Sequence, residues 1–427
     1  MPTGHGQLPT LKPLAMTDPI LTGPALLPRF LALDDFLRQH QHLWRPRPFT
    51  HLQLPWESQH PQLAAWLRSR SLEEAEATHN HPQQLQAPSP FAELAQQSME
   101  LSAVGAFFHR ETRQLPANYS VDIPGRKWQQ IQAFAGCLQF QKTPQHWLDW
   151  CSGKGHLGQL LAQDGQALTC LEFDPTLVSA GAQLSTRRGL ASQHVQQDVL
   201  AADASERVLP EHTPVALHAC GDLHVRLLQL ASAAGCGQLA IAPCCYNRIT
   251  GPHYQALSTA AQASPLQLSL DDLGLPLSET VTAGTRVRRQ RDHSMARRLA
   301  FDLLQRELRG SDSYLPTPSL PVAWLHKDFA DYCHDLAQLK GLPAPAQRDW
   351  QVLEQMGWQR LAAVRNLELL RGLFRRPLEL WLLLDRALFL QQHGYTVQLG
   401  IFCPAEFSPR NLLLLAENQE VAHTICG

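Results

Sequence analysis

Two glycines one residue apart, with carboxylates before and after them, are the residues of this chain whose spacing most directly suggests chemistry. They stand in Asp149-Trp150-Cys151-Ser152-Gly153-Lys154-Gly155-His156-Leu157-Gly158, and Glu172 follows about twenty residues on. Gly153 and Gly155 let the backbone turn sharply and bring its N–H groups close to a ligand, where a Cβ would obstruct. A helix starting at such a turn points its positive end into the same crevice. A carboxylate at the tip of the next strand accepts hydrogen bonds from ribose hydroxyls, which singles out Glu172. The chemistry implied is the binding of a nucleotide-type cofactor.

The elements that must position these groups are legible around them. Apolar residues lead into Asp149, a helix-forming run spans Leu157 to Gln163, and a strand from Ala167 to Leu171 ends in Glu172. The spacing predicts a helix over Pro175 to Arg187 and a third strand over Val195 to Leu200, carrying Asp198. Asp203 competes with Asp198, which is preferred because it follows the apolar alternation directly. Pro214 to Ala219 reads as a fourth strand opening into His218-Ala219-Cys220-Gly221-Asp222-Leu223-His224. A helix over Val225 to Ala233 and a fifth strand over Gln238 to Ala242 follow, ending in Pro243-Cys244-Cys245-Tyr246-Asn247. In an open α/β sheet, ligands bind outside these carboxyl ends.

The stretch from Asp149 to Gly158 resembles motif I of the class I S-adenosylmethionine-dependent methyltransferases. More narrowly it is similar to the methyltransferase-like and "ribosomal RNA adenine dimethylase domain-containing" branch, with acceptor-stem tRNA ribose methyltransferases as more distant relatives. Leu275 to Ser278, Arg376-Pro377-Leu378-Glu379, Leu384-Asp385-Arg386 and Ser408-Pro409-Arg410-Asn411 look like further signatures in family order, so the resemblance covers roughly Ile123 to Ala416. It implies a Rossmann-like seven-stranded sheet and S-adenosylmethionine as cofactor. Asp149, Cys151, Gly153, Gly155, Glu172 and His218 would line the cofactor, Asp198 would meet the adenine amino group, and Lys127 would lie beside the mouth.

Methyl transfer from a sulfonium is an in-line displacement, so the enzyme must hold and align the nucleophile and, if it is protonated, supply a base. His218 and Asp222 are candidates to orient or deprotonate a substrate. Tyr246 could stack on a planar acceptor and Asn247 hydrogen-bond to it. Cys220, Cys244 and Cys245 converge on the same edge, and three readings stay open. They are buried structural thiols, or Cys244 and Cys245 act covalently, as in the RNA cytosine-C5 methyltransferases, or they hold a metal with His218 or His224. Adjacent cysteines lack ordinary ligand spacing, so no metal is assigned.

Between Gly284 and Gly310 lie Arg286, Arg288, Arg289, Arg291, Arg297, Arg298, Arg306 and Arg309, and Arg360, Arg365, Arg371, Arg375 and Arg376 form a second group. The densest run, Arg286 to Arg291, could pair with phosphates. With the distant kinship to tRNA and rRNA enzymes, it suggests structured RNA as the partner. No recognised RNA-binding module accompanies it, and no DNA specificity is evident.

The chain has 427 residues, 44% of them hydrophobic, a net charge of -2 and ten cysteines without a disulfide-like spacing. That suits two or three globular domains in a reducing, cytoplasmic setting. The most apolar run, Leu378 to Leu390, is interrupted by Glu379, Asp385 and Arg386, so no membrane span is expected. The expected division is a mobile tail (1–28), an N-terminal helical region (29–115), the first part of the cofactor-binding core (116–247), a mostly helical insertion (248–375) and a closing helix and hairpin (376–427).

Overall fold

The computed structural model describes residues 18–110, 119–120, 123–278 and 284–418. Its centre is an eight-stranded sheet in the order β1-β7-β8-β6-β5-β2-β3-β4. The strands are β1 (Leu21–Thr22), β2 (His146–Trp150), β3 (Ala167–Glu172), β4 (Ser192–Gln196), β5 (His212–Leu217), β6 (Gln238–Ala242), β7 (Tyr395–Ile401) and β8 (Leu412–Asn418). Strands β2 to β6 are parallel, while β8, β7 and β1 close the sheet antiparallel.

Seven of the strands correspond to the sheet expected from the sequence. The eighth, β1, pairs Leu21 with Leu399 and Thr22 with Gln398 inside the stretch expected to be a mobile tail. Two residues are too few to show alternation, so only pairing with β7 defines this strand. Residues 1–17 of the expected tail lie outside the described residues.

The pattern of burial follows the topology. Central β6 is buried at every position, its polar Gln238 included, and β8 over its five apolar residues Leu412 to Ala416. Edge strand β4 has no fully buried residue and ends at Gln196, so Asp198 stands two residues beyond it rather than within a strand. Because the chain leaves β2 for β3 on one side and places β5 on the other, a crevice opens at the carboxyl ends of β2 and β5. The glycine turn sits at that switch point.

The chain divides into two compact units, one of residues 1–30, 103–270 and 382–427, and one of 31–102 and 271–381. The first holds the sheet. The second is helical, with Pro61–Ser69 and Leu72–Thr78 packed on the Trp350–Gly372 helix, which itself crosses Thr285–Arg309. The N-terminal helices and most of the expected insertion therefore share one unit, and residues 248–270 fall with the sheet. No helix among the described residues is long and apolar enough to cross a membrane.

Candidate active site

The candidate groups stand at the carboxyl ends of the five parallel strands β2 to β6. Trp150, at the end of β2, is followed by Cys151 in a left-handed conformation, φ 56°. Gly153 and Gly155 continue the turn at φ 57° and 73°. The two glycines do different work. A Cβ on Gly153 would meet nothing within 4 Å, so that position faces open space, whereas one on Gly155 would lie 2.9 Å from the Cys170 sulfur and from His194 Cε1. Gly155 lets the turn settle on the sheet, and Gly153 leaves room above it.

Both flanking carboxylates hold the turn. Asp149 is buried and its Oδ2 accepts the Gly158 N–H at 2.9 Å. Burial pushes its carboxyl up to about 7, against the Gly158 N–H and the Lys127 charge, which favour the anion. Glu172 Oε2 accepts from Gly153 N–H at 2.8 Å, and Oε1 from Phe173 and Asp174 N–H at 2.9 and 3.0 Å. A carboxylate offers about four acceptor sites, so Glu172 retains capacity for one more donor while it braces the loop. Asp198 is exposed and its Oδ1 accepts only from Leu200 N–H, whereas Asp203 is engaged by the Gln197 side chain. The exposed Phe173 and Leu200 follow Glu172 and Asp198 at adjacent strand ends, two apolar surfaces that no motif in the sequence marks. The helix after the turn runs only from His156 to Leu161.

These features fit an adenosyl-type group. The space above Gly153, the remaining capacity of Glu172, the exposed carboxylate of Asp198 and the apolar faces of Phe173 and Leu200 would supply its polar and flat contacts. Cys151 is largely enclosed, and burial pushes its thiol up to about 12.

His218, just past β5, has φ 67° and a half-buried ring. Its Nε2 meets Gln130 Oε1 at 2.5 Å, and Gln130 Nε2 donates to the Phe407 carbonyl at 2.6 Å. Because that amide spends its donor on Phe407, its oxygen must accept, so the imidazole carries its proton on Nε2 and keeps the Nδ1 lone pair. Burial, then the charges of Arg410 and Lys127, lowers its pKa to about 4. His218 is thus a neutral acceptor near pH 7. Nothing in the helical spacing around Gln130 marks it in the sequence for this role.

Several expected contributors are occupied elsewhere. Asp222 Oδ2 accepts the Thr250 N–H and hydroxyl at 2.7 and 2.5 Å, which ties it to the loop after β6. Tyr246 is 1% exposed, its ring edge-on to His224 and beneath the Arg386 guanidinium, so it offers no face for stacking a substrate. Arg386 also donates to His224 Nε2 at 2.7 Å, and Asp385 accepts from Leu257 and Ser258. The Leu384-Asp385-Arg386 signature is therefore a buried clamp under the site. Asn247 is half-buried past β6, and Lys127 is exposed in the first turn of the Gly125–Cys137 helix.

Cys220, Cys244 and Cys245 do converge. Cys244 lies 3.5 Å from Cys220 and 3.6 Å from Cys245, sulfur to sulfur. The neighbouring thiols donate to Cys220 and lower its pKa, while Cys244 and Cys245 are raised. Gly221 makes this possible, because a Cβ there would fall 1.9 Å from the Arg248 carbonyl oxygen.

The arginine groups mostly serve the helical unit itself. Arg288 and Arg291 lie 3.9 and 3.6 Å from Glu76. Arg297 pairs with Glu354, Arg306 with Asp302, Arg298 bonds Thr317 and Arg309 bonds Ser313. In the second group Arg360 pairs with Asp302, Arg365 with Asp292, Arg371 with Glu368 and Arg376 with Glu379, while Arg375 donates to the His79 carbonyl. Among the described residues only Arg286 and Arg289 of the first group are exposed without a protein partner.

Residues 126–252 match the family model described as "Methyltransferase domain". A search of curated proteins finds no match to the chain. Among solved structures, that of coclaurine N-methyltransferase bound to N-methylheliamine and SAH matches with 14% identity over 80% of this chain and 89% of that one. Its TM-score is 0.26, too low to carry an argument.

Proposed function

Taking as premise a methyltransferase domain whose methyl donor is S-adenosylmethionine, we propose that the acceptor is a structured RNA, in line with the resemblance to the ribosomal RNA adenine dimethylase domain-containing branch. The observation that carries this reading is the charge of the site's rim. Lys127 and Arg248 are exposed there, and with Arg410 they act on His218, Cys220 and Cys245. The donor's sulfonium is itself a cation and gains nothing from them, and its single carboxylate needs only one of the three. A cationic rim serves an anionic acceptor, and a phosphate backbone is the commonest one of macromolecular size. Arg286 and Arg289 add two uncommitted guanidinium groups on the helical unit.

In this reading Gly153, Glu172 and Asp198 hold the adenosyl part, with Phe173 and Leu200 against the flat ring. When bound, the donor supplies an electrophilic methyl group. His218, held by Gln130, presents a neutral Nδ1 acceptor that orients a donor N–H or O–H of the substrate. Its low basicity makes it a positioning group more than a strong base.

A protein or small-molecule acceptor is the second reading. It is favoured by the internal pairing of most arginines in the two groups, which removes much of the apparent phosphate affinity. Transfer of labelled methyl from S-adenosylmethionine to total RNA, total protein and a metabolite extract separates the two. The RNA reading expects label in RNA, with affinity falling steeply with salt and a shallower salt slope in Arg248→Glu. Label confined to protein or metabolites would overturn it. Glu172→Ala should weaken S-adenosylmethionine binding by tenfold or more in calorimetry, because it frees the Gly153, Phe173 and Asp174 amides together. Unchanged affinity would remove the loop from the cofactor site.

A further inference from the structure

We infer that Cys220, Cys244 and Cys245 form a three-thiolate site for a zinc ion, with its fourth position open. This goes beyond the methyl-transfer reading and does not depend on it. The three sulfurs all lie within 4.8 Å of one another, the only such group of potential ligands among the described residues. A tetrahedral zinc with Zn–S bonds of about 2.3 Å sets its sulfurs about 3.8 Å apart. The two closest pairs here stand at 3.5 and 3.6 Å, so each needs to open by only a few tenths of an ångström. A disulfide would instead need a sulfur separation of about 2 Å, and all three cysteines are free.

The sequence argues against a metal because Cys244 and Cys245 are adjacent. The fold supplies what that argument lacked. The Cys220 loop after β5 folds back on the Cys244 loop after β6, with Gly221 N–H donating to the Cys245 carbonyl at 2.6 Å and Asp222 N–H to the Arg248 carbonyl at 2.9 Å. The third ligand therefore comes from a different strand and is fixed by backbone bonds.

The ligand set selects the ion. Thiolates favour zinc over magnesium or calcium, which prefer oxygen. Iron–sulfur clusters ordinarily take four cysteines, and only three are within reach. Neither nearby histidine completes the set. His224 spends Nδ1 on the Ala219 carbonyl and Nε2 on Arg386, and His218, whose Nδ1 is free, does not bring a ring nitrogen within 4.8 Å of all three sulfurs. Three protein ligands and one open position are the pattern of zinc sites that accept water or a substrate donor. Zinc with three thiolates carries one net negative charge, and the positive charges of Arg248 and Arg410 beside Cys220 and Cys245 offset it. Binding displaces the thiol protons into solvent.

The test uses the full-length chain purified without chelator. Elemental analysis should find close to one zinc per chain. Stripped protein reloaded with cobalt(II) should show a near-ultraviolet thiolate-to-cobalt charge-transfer band, and reloading with zinc should shield three thiols from a thiol reagent. Cys220→Ser, Cys244→Ser and Cys245→Ser should each lower zinc affinity by more than the roughly 100-fold that loss of an outer-shell partner costs. Cys333→Ser, in the helical unit, should leave it unchanged. If a serine variant fails to fold by circular dichroism, the wild-type cobalt spectrum and thiol shielding still decide. No zinc in the wild type with no cobalt–thiolate band, or a band of undiminished intensity and affinity in Cys220→Ser, overturns the site. Metal content is read without methyl transfer, so failure of the methyltransferase reading would leave this result untouched.

Discussion

At the scale of single residues, the site works by committing hydrogen-bonding groups in one direction. Gln130 can donate to the Phe407 carbonyl only through its amide nitrogen, which forces its oxygen toward His218 and sets that ring's tautomer. The consequence is testable with Gln130→Glu. A carboxylate beside Nε2 favours the imidazolium, so the His218 pKa should rise from about 4 toward its ordinary range. Losing the donor to Phe407 should cost about 1–2 kcal/mol of stability. A histidine titration followed by NMR, with the pH profile of kcat, reads the effect, and an unmoved His218 would disprove the assigned tautomer. Glycine acts with the same economy at Gly221, where φ 53° and the nearby Arg248 carbonyl exclude any side chain.

Among elements, the helical unit depends on how closely two long helices approach. Thr285–Arg309 and Trp350–Gly372 cross at Gly357, where a Cβ would fall 2.4 Å from the Ala296 carbonyl oxygen and 2.7 Å from Ala300 Cβ. Gly357→Ala improves helix propensity by about 1 kcal/mol. Backbone obstructs it at a distance no Cβ tolerates, so overpacking wins, and net destabilisation should reach about 1–3 kcal/mol. Urea unfolding measures this directly, and an unchanged or higher midpoint would show that the helices do not meet there. The same crossing explains the arginines. Asp302 is buried between Arg306 and Arg360, and Asp292 lies against Arg365, so charges dense in the sequence neutralise one another inside the unit. An arginine count alone overstates the charge available to an outside partner.

For the whole molecule, buried histidines set the response to acid. His79, His156, His212 and His218 are each lowered to about 4, chiefly by burial, and fully buried His224 is lowered as well. A base whose folded pKa lies below its unfolded value gives stability above the unfolded pKa, near 6.5. That stability is lost as pH falls toward about 4. Asp149 acts with the opposite sign. Its raised carboxyl gives stability below the ordinary aspartate range that is lost as pH rises through about 7. Five histidines against one aspartate make the histidine sign prevail. The urea midpoint should therefore be lower at pH 5 than at pH 7, and an equal or higher midpoint at pH 5 would contradict the burial of these rings.

How much of this was readable beforehand follows from range of interaction. The glycine turn, the strand ends carrying Glu172 and His218, and the Pro175–Arg187 helix are written in local patterns of backbone freedom, apolar period and capping, so the sequence alone was enough for the sheet's parallel half and the place of its glycine turn. It also placed the β7–β8 hairpin, because two alternating or apolar runs around a Ser-Pro turn have few other partners. Strand β1 was invisible, since two residues become a strand only when β7 offers its edge. Gln130 and Phe173 carried no local mark, Arg410 stood in a signature that gave it no role, and what each does comes from which neighbours the fold brings to it. The enclosure of Tyr246 under Arg386, the pairing of the arginines and the meeting of Cys220 with Cys244 are likewise decisions of tertiary structure. Burial and side-chain pairing depend on residues tens to hundreds of positions apart, and no local pattern records those distances.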